Sequence, residues 1–351
     1  MKKILITGGA GFVGGNLAIK FTEIGYEVVC FDNLVRRGSE LNLNRFKQHN
    51  IRFVHGDIRN PEDFIGLGFK PDIVLECAAQ PTAIDGYKNP YFDLTNNTYG
   101  LVNVLEFCRK NNSALIFWSS NKVYSGDLCN SVPVVEGETR FRWKEDDTFK
   151  LRGWSKDGFN TKLDLNGSEH SIYGVSKVAA DLICQEWSGA FDIPVIINRY
   201  SCLYGPHQFG KVSQGWITWF IIAKILEQQL TFYGFKGKQV RDYLHIDDAC
   251  DLTLKQINDI NNHKGSYYNV GGGINNTVSI LELNSLLDKM LGVDNPVLHA
   301  ASRRSDQIIF ISDIDNVCND FMWKPNRNFK DGLSEIIEWV QNNINALKLL
   351  L

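Results

Sequence analysis

The order of apolar and polar positions in the first 200 residues follows two alternating patterns. Short apolar runs rich in β-branched residues predict strands that are buried on both faces: KILIT, EVVCF, IRFV, DIVLE, ALIFW and PVIINRY. Between them, apolar residues recur at helical spacing over 13–24, over 91–110 and in the segment that begins with YGVSK. Such strands separated by helices indicate a parallel sheet covered on both faces. We therefore predict a doubly wound α/β fold.

The pattern becomes less regular after Tyr204. YGPHQFGKVSQGW is rich in turn residues, a helix is predicted over 216–228, and short stretches such as YYNVGGG are interspersed with helices. This change predicts one domain over 1–200 and a smaller α/β lobe over 201–351, with segments of the second half free to cross back to the sheet. The polar, weakly periodic segment 126–168 favours either a lid over a cleft or a surface for a partner.

Composition narrows the class of protein. The 351 residues are 44% hydrophobic and 22% charged, as in an ordinary globular protein, and a net charge of -3 provides no field that attracts nucleic acid or an anionic membrane. The eight cysteines form no CxxC pair and no zinc-like cluster, so no metal site is predicted. MKKILITGG fails as a signal peptide, and GWITWFIIAKIL is too short to span a bilayer. We expect a cytoplasmic protein without nucleic-acid or membrane partners.

A glycine motif stands between the first predicted strand and the first helix. ILITGGAGFVGGNLA places Gly8 in a tight turn, Gly11 where the backbone can approach a pyrophosphate, and Gly14 where helix and strand pack closely. At the end of the second strand Asp32 follows Gly14 at the distance that ribose recognition requires. A carboxylate there accepts hydrogen bonds from ribose hydroxyls and repels a 2′-phosphate. The motif therefore predicts a dinucleotide site and favours NAD.

Three nearby residues leave alternatives open. Arg36 and Arg37 can receive a 2′-phosphate, and hence NADP, if their loop turns inward. Asp57, which follows the third strand, can accept the adenine amino group, or it can simply cap a turn or a helix.

The pair Tyr173 and Lys177 in YGVSK shares one helix face, which fits either a solvated amphipathic helix or a proton-transfer device. Beside a dinucleotide site the second interpretation is stronger, because a phenol acts as a base only when a cation lowers its pKa. The fifth strand ends in SSNKVY, so that Ser119 and Ser120 lie at the carboxyl edge of the sheet, where such folds bind ligands. Serine, tyrosine and lysine together predict oxidation and reduction of an alcohol.

These motifs also carry a resemblance to a known family. Seven segments stand in the order found in the extended short-chain dehydrogenase/reductase family, among its nucleotide-sugar epimerases and dehydratases. They are TGGAGFVG, FDN, GDIRN, SSNKVY, YGVSK, NRYSCLYGP and RDYLHIDD. The resemblance covers nearly the whole chain. It implies a Rossmann domain that binds NAD, a C-terminal lobe that binds a nucleotide-diphosphate sugar, and a homodimer or homotetramer. Family members often pair two helices per subunit, here the 91–110 helix and the YGVSK helix.

The resemblance also implies site residues. The catalytic residues would be Ser120, Tyr173 and Lys177. The cofactor would be held by Tyr173 and Lys177 together with Gly8, Gly11, Phe12, Val13, Gly14, Asp32, Asn33, Asp57, Ile58, Ala78, Ala79 and Asn97. The substrate would be held by Gln80, Thr82, Asn121, Arg241 and Arg303. Cys202 departs from the family pattern, since many members have there an asparagine that helps to hold the diphosphate.

The reaction is predicted from one local difference. Family dehydratases carry an acidic Asp-Glu pair after the catalytic Ser or Thr, whereas this chain has Asn121 and Lys122, which favours an epimerase. Four segments are most similar to family members that invert C2 of a CDP-linked deoxyhexose for bacterial O-antigen polysaccharide. They are SNKVY, QGWITWF, GKQVRDYLH and SDQIIFISDI. The alternatives are a UDP-hexose 4-epimerase, a net NAD(P)-dependent oxidoreductase of a nucleotide sugar, and a non-catalytic dinucleotide sensor.

Overall fold

A seven-stranded parallel sheet forms the centre of the computed structural model, which describes residues 2–349. Its strands are β1 (Lys3–Thr7), β2 (Glu27–Asp32), β3 (Arg52–His55), β4 (Ile73–Glu76), β5 (Ala114–Ser120), β10 (Val195–Tyr200) and β14 (Ser266–Val270). They lie in the order β14-β10-β5-β4-β1-β2-β3. The order reverses next to β1, between β1 and β4, which is where doubly wound sheets open a ligand crevice. The predicted fold class is confirmed.

The remaining strands are shorter and lie outside the central sheet. They are β6 (Val134–Glu136), β7 (Phe141–Trp143), β8 (Trp154–Ser155), β9 (Gly158–Phe159), β11 (Cys202–Tyr204), β12 (Leu230–Tyr233), β13 (Val240–His245), β15 (Thr277–Ser279), β16 (Val297–Ala300) and β17 (Ile309–Phe310). β13 is central to a four-stranded sheet with β11, β15 and β17, and β12 pairs with β16. These two sheets belong to the second half of the chain.

Some of the α-helices cover the two faces of the central sheet, and others pack in a separate core with β12 in the second half of the chain. The helices are α1 (Phe12–Glu23), α2 (Asn42–Gln48), α3 (Glu62–Ile65), α4 (Ala83–Lys88), α5 (Pro90–Leu94), α6 (Leu101–Asn111), α7 (Gly126–Asn130), α8 (Ser171–Phe191), α9 (Trp216–Ile225), α10 (Ile246–Asp259), α11 (Ile280–Leu291), α12 (Asp315–Phe321), α13 (Phe329–Asn342) and α14 (Ile344–Lys348). A π-helical turn, Thr95–Gly100, joins α5 to α6, and a 3₁₀ turn, Asn121–Val123, follows β5.

Strand alternation divides the core of the sheet between its two faces. Ile4, Ile6 and Leu75 pack on the face covered by α1 and α10, whereas Leu5 and Val74 pack on the face covered by α6 and α8. Because successive side chains on a strand point to opposite faces, near-continuous apolar strands need helices on both sides. This arrangement positions α8, with its YGVSK motif, beside the end of β5.

The segment 126–168 is ordered against the second half of the chain. It contains α7 and two short hairpins, β6 with β7 and β8 with β9. Arg140 donates hydrogen bonds to Glu282 and to Thr277, and the backbone of Phe159 exchanges hydrogen bonds with Ile311 and Asp313. These contacts attach both hairpins to the second half of the chain.

None of the helices between residues 2 and 349 combines the length and the apolar character that a membrane span requires.

Candidate active site

The glycine turn after β1 forms the floor of a cleft. Gly8 has φ +62°, and a Cβ atom there would lie 2.7 Å from the backbone of Ala78. A Cβ atom on Gly14 would lie 2.4 Å from the carbonyl oxygen of Gly8, so only glycine lets α1 approach the turn this closely. Gly11 precedes the first residue of α1 and supplies no side-chain cap. The first amides of α1 are therefore available to a phosphate.

Asp32 lies in the same cleft, which has a volume of ≈ 550 Å³. Burial raises the pKa of its carboxyl group, and hydrogen bonds from the amides of Leu34 (2.7 Å) and Ala10 (3.1 Å) oppose that shift. The cleft is lined by several of the predicted cofactor residues: Gly8, Gly11, Asp32, Asn33, Ile58, Ala78 and Ala79. A glycine cradle, an uncapped helix start and a fixed carboxyl group fit a dinucleotide, with its pyrophosphate over the turn and a ribose at Asp32.

Several other predicted cofactor residues have different surroundings. Asn97 is buried in a hydrogen-bond network with Gln80, Asp93 and Ser176, and its neighbour Asn96 lines the cleft instead. This outcome differs from the expectation that Asn97 lines the cleft. The π-helical turn that contains both asparagines accounts for the difference, because an extra residue per turn changes which side chain faces outward.

Asp57, Phe12 and Val13 also lie outside the cofactor cleft. The carboxylate of Asp57 accepts hydrogen bonds from Arg59 and Asn33, which matches the turn interpretation more closely than an adenine contact. Phe12 and Val13 line a larger cavity next to the cleft. Arg36 does line the cofactor cleft, so the loop that bears it turns inward, but Asp32 lines the same cleft, where its carboxylate would repel the 2′-phosphate of NADP.

Ser120 and Tyr173 line this larger cavity, which has a volume of ≈ 1710 Å³. Ser120 ends β5, and its Oγ accepts a hydrogen bond of 3.2 Å from the amide of Lys122. Tyr173 lies in the first turn of α8, two residues after Ser171, which has φ +63°. The start of α8 thus brings the phenol to the end of β5, as the motifs predict.

Lys177 lies behind Tyr173 and is 2% exposed. Its Nζ donates a hydrogen bond of 3.0 Å to the carbonyl oxygen of Trp118 and lies 4.6 Å from the ring centroid of Phe117. Burial raises the pKa of Tyr173 to about 12, and a hydrogen bond with Ser120 acts in the opposite direction. The ammonium group of Lys177 thus donates to the backbone of β5 rather than directly to the phenol.

A cluster of cations lies where the larger cavity meets a second cavity of ≈ 850 Å³. Lys122 and Arg303 line both cavities, and Arg241 lines the second. Asp306 accepts a hydrogen bond of 2.6 Å from Arg241 and lies 4.0 Å from the Nζ of Lys122. Arg303 lies 4.0 Å over the ring of Tyr233. Three cations against one carboxylate leave a surplus of positive charge, which suits a diphosphate.

The other predicted substrate residues differ in their access to the cavity. Thr82 and Asn121 line it. Gln80 lies outside the cavity lining, because its amide donates to the carbonyl oxygen of Thr82 and to Asp93 and its oxygen accepts from the amide of Thr82. In this structure Gln80 shapes the loop rather than facing the cavity.

The match to a family profile decides the class of protein. Residues 4–271 match the "NAD dependent epimerase/dehydratase family". The chain belongs to this family. NAD is therefore its cofactor, and the protein is an enzyme. Gly8, Gly11 and Asp32 would hold NAD, which supplies a hydride acceptor when bound, and Tyr173 and Ser120 lie in the neighbouring larger cavity.

Relatives of this epimerase/dehydratase chain span several reactions. It is 36% identical over 350 residues to a CDP-paratose 2-epimerase of Salmonella typhi, covering 97% of this chain and 99% of that one. It is 28% identical to a putative UDP-glucose 4-epimerase of Methanocaldococcus jannaschii, with 97% and 99% covered. A solved UDP-glucuronic acid 4-epimerase of Bacillus cereus, in complex with UDP-glucuronic acid and NAD, superposes with a TM-score of 0.77 at 25% identity, covering 97% and 99%.

Three residues that the sequence did not single out as site residues have notable positions in this family member. Asn96 lines the cofactor cleft, Lys122 joins the two larger cavities, and Asp306 holds Arg241. Lys122 could have been found, since it lies two residues after Ser120. Asp306 could not, because its partner is 65 residues away in the chain.

Proposed function

We propose that this protein is an NAD-dependent epimerase of a nucleotide-diphosphate sugar. Its proposed reaction is inversion at C2 of a CDP-linked deoxyhexose, of the CDP-paratose to CDP-tyvelose type, through a transient 2-keto sugar.

One observation carries the choice of epimerisation over elimination of water. Elimination needs a separate acid and base near the sugar. Within residues 2–349, the only carboxyl group that lines the ≈ 1710 Å³ cavity is that of Asp306, and Arg241 holds it in an ion pair. Asn121 and Lys122 follow Ser120 where family dehydratases carry their acidic pair. The cavity therefore has no free carboxyl group for that chemistry.

The side chains that line the cavity support a reversible oxidation. Tyr173 takes the proton of the C2 hydroxyl group as the C2 hydrogen leaves with its electron pair, so the carbon becomes a ketone. Ser120 donates a hydrogen bond to the developing carbonyl oxygen. NAD, when bound, supplies the acceptor and then the donor of that hydrogen. Return of the hydrogen to the opposite face, with return of the proton from Tyr173, gives the epimer.

The size of the cavity is compatible with this sequence of steps. For the opposite face to be reduced, the keto sugar must turn while its nucleotide stays bound. The ≈ 1710 Å³ of this cavity includes space that is open to solvent, so the residues that line it do not enclose a hexose tightly. Lys122, Arg241 and Arg303 would hold the diphosphate at the boundary with the ≈ 850 Å³ cavity, where the rings of Trp216 and Tyr233 can pack against a base.

The choice of C2 and of CDP rests on the relative from Salmonella typhi, which matches this chain end to end at 36% identity. A UDP-hexose 4-epimerase is the second candidate, because a putative UDP-glucose 4-epimerase matches at 28% identity and a solved UDP-glucuronic acid 4-epimerase matches at 25%. Both candidates use the same side chains with a different pose of the sugar.

Proton NMR time courses of the purified protein, without added cofactor, distinguish the candidates. CDP-paratose, CDP-glucose, UDP-glucose and UDP-galactose serve as substrates. We expect inversion at C2 of a CDP sugar. Inversion at C4 of a UDP sugar would overturn the substrate and retain the site. Turnover only after addition of NAD or NADH would show a net oxidoreductase.

Tyr173→Phe is the matched control for these measurements. It removes only the hydroxyl group, and we expect turnover to fall by about 10²- to 10⁴-fold, as for loss of a general base. A variant that still binds NAD but has lost turnover supports the assigned role. Full turnover by Tyr173→Phe would exclude the proposed chemistry.

We also propose that the protein is at least a dimer through α5, α6 and α8, the helices that the sequence suggested. Large apolar side chains on this surface are exposed: Tyr91 (77%), Tyr99 (56%), Val175 (48%) and Leu182 (51%). Covering such a patch removes apolar surface from water. Light scattering at micromolar concentration should give at least twice the mass of one chain, and the mass of a single chain would exclude the dimer.

A further inference from the structure

Glu76 is a buried carboxyl group with no role in the steps described above. It is the last residue of β4, is 1% exposed, and accepts a hydrogen bond from the Oγ1 of Thr7. Thr7 and Glu76 are paired in the register of β1 and β4, and Thr7 is fully buried. An ionised carboxylate in such a place requires a partner of opposite charge.

The register of the sheet brings Glu76 to the face that carries Lys177. Glu76 is paired with Phe117 in the register of β4 and β5. Strand alternation points both side chains to the face covered by α6 and α8, and the core there includes Phe117. The Nζ of Lys177, on α8, lies 4.6 Å from the centroid of that ring. A carboxyl group and an ammonium group thus share one buried region beneath the catalytic tyrosine.

Each of the two groups affects the ionisation of the other. Burial raises the pKa of Glu76 to about 7, while the hydrogen bond from Thr7 and the charge of Lys177 act against the rise. Burial lowers the pKa of Lys177, and Glu76 is the first of the groups that oppose this change. Without the carboxylate, the ammonium group would therefore lose its proton at a lower pH.

We propose that Glu76 is a positioning residue of the active site, whose carboxylate is the buried counter-ion that keeps Lys177 in its ammonium form. The inference rests on the proposed role of Lys177 in the family chemistry. A protonated Lys177 donates to the carbonyl oxygen of Trp118 and retains further N–H groups for the cofactor ribose and for the electrostatics of Tyr173. A neutral amine would supply no positive charge.

Other titratable groups also face this pair. They are the thiols of Cys77 on β4, Cys108 on α6 and Cys184 on α8, and the carboxyl group of Asp93 on α5. Burial raises the pKa of all three thiols, so they stay neutral. Asp93 is engaged with Gln80, Asn97 and Ser176 and is the last of the groups that act on Lys177. Glu76 is therefore the carboxyl group to change.

The first test is the pH profile of kcat for Glu76→Gln, measured with the nucleotide sugar that the wild type converts. Glutamine keeps the volume and can accept the hydrogen bond from Thr7. We expect the alkaline limb to move down by about one pH unit or more, so that the ratio of activity at pH 9 to activity at pH 7 falls about tenfold. Thr7→Val, which keeps the carboxylate, should leave the alkaline limb in place. A uniform loss at every pH in Glu76→Gln would show a packing role and overturn the proposal.

The second test does not depend on activity. Melting temperatures are compared at pH 5 to 9 for wild type, Glu76→Gln, Lys177→Met and the double variant. Lys177→Met leaves the carboxylate without its cation, so its melting temperature should fall more steeply with rising pH than that of the wild type. The double variant should recover part of that loss, and additive effects would overturn the pairing. If no nucleotide sugar is converted, the proposed function fails while this comparison still decides the pairing. If Glu76→Gln does not fold, Lys177→Met and the double variant decide it.

Discussion

Gly14→Ala is expected to weaken NAD binding without unfolding the protein. The new Cβ atom would lie 2.4 Å from the carbonyl oxygen of Gly8 and 2.7 Å from the Cα of Gly9, whereas real Cβ atoms essentially never come within 3.0 Å of another heavy atom. Both contacts are with backbone, so no side-chain rotation relieves them. The glycine turn and α1 must separate by several tenths of an ångström. Overpacking of this kind costs about 1–3 kcal/mol.

The strain falls on the loop that would hold the pyrophosphate, so we expect it to appear as lost affinity. At about 1.4 kcal/mol for each factor of ten, the dissociation constant for NAD should rise about 5- to 150-fold. Isothermal titration calorimetry on protein stripped of nucleotide measures this directly. The amount of NAD that copurifies with each chain should fall in parallel.

Gly189→Ala is the matched control. Gly189 is an exposed residue of α8, and a Cβ atom there would meet nothing within 4 Å. Its substitution should leave the affinity for NAD unchanged and stabilise the helix by up to about 1 kcal/mol. If Gly14→Ala bound NAD as tightly as the wild type, the close approach of α1 to the turn could not be what requires glycine there.

Three further outcomes are expected. Lys122→Met should raise KM for the nucleotide sugar about tenfold or more with a smaller change in kcat, because a hydrogen bond from a charged group is worth about 1.5–3 kcal/mol. Equal KM values for the variant and the wild type in steady-state assays would contradict the assigned contact with the substrate. The buried Arg199 donates two hydrogen bonds of 2.9 Å to Asp181. Asp181→Ala leaves this arginine without its counter-charge and should lower the free energy of unfolding, measured in urea titrations, by about 3–5 kcal/mol. Burial raises the pKa of Asp57, but hydrogen bonds from Arg59 outweigh this effect and lower the pKa from 3.8 to about 2. The ionised carboxylate therefore stabilises the folded protein fully above pH 4, and this stabilisation is lost as the pH falls from about 4 to 2. In Asp57→Asn the melting temperature should change less over that interval than in the wild type.

The strands of the central sheet could be predicted from sequence because each is a continuous apolar run. KILIT matches β1 residue for residue, and DIVLE differs from β4 by one residue. Burial on both faces requires such runs, so the pattern is local. The 91–110 helix was also predicted, but its division by a π-helical turn at Thr95–Gly100 was not. Nothing in the spacing of its apolar residues indicated the extra residue in that turn.

The site was predictable to the extent that its residues are close in sequence. Gly8, Asp32 and Tyr173 belong to short motifs whose geometry follows from one turn or one helix face. The surroundings of Gln80 and Asn97 were not predictable, because a network through Asp93 and Ser176 sets the direction of both side chains. Those partners come from separate helices, and single-sequence patterns contain no information on such distant pairs.

The hairpins of 126–168 show the same limit. Their few apolar residues, such as Phe141 and Phe159, are too sparse to predict strands. The two strands of each hairpin pair with each other, and the backbone of the second half supplies further partners: Phe159 pairs with Ile311 and Asp313, and Phe141 donates to the carbonyl oxygen of Lys238. The segment is therefore shaped by a part of the chain that follows it by about 100 residues or more.

The position of β14 has a consequence for how the protein is made. β10 lies between β5 and β14, and its register joins Ile196–Tyr200 to Ser266–Val270. On the ribosome, β10 emerges well before β14 has been synthesised. During that interval one edge of a fully buried strand, VIINRY, has unpaired backbone groups and can associate with other nascent chains. Slow translation after β10 has left the ribosome and before β14 has left it should therefore lower the yield of folded protein, whereas a pause after β14 has emerged should not.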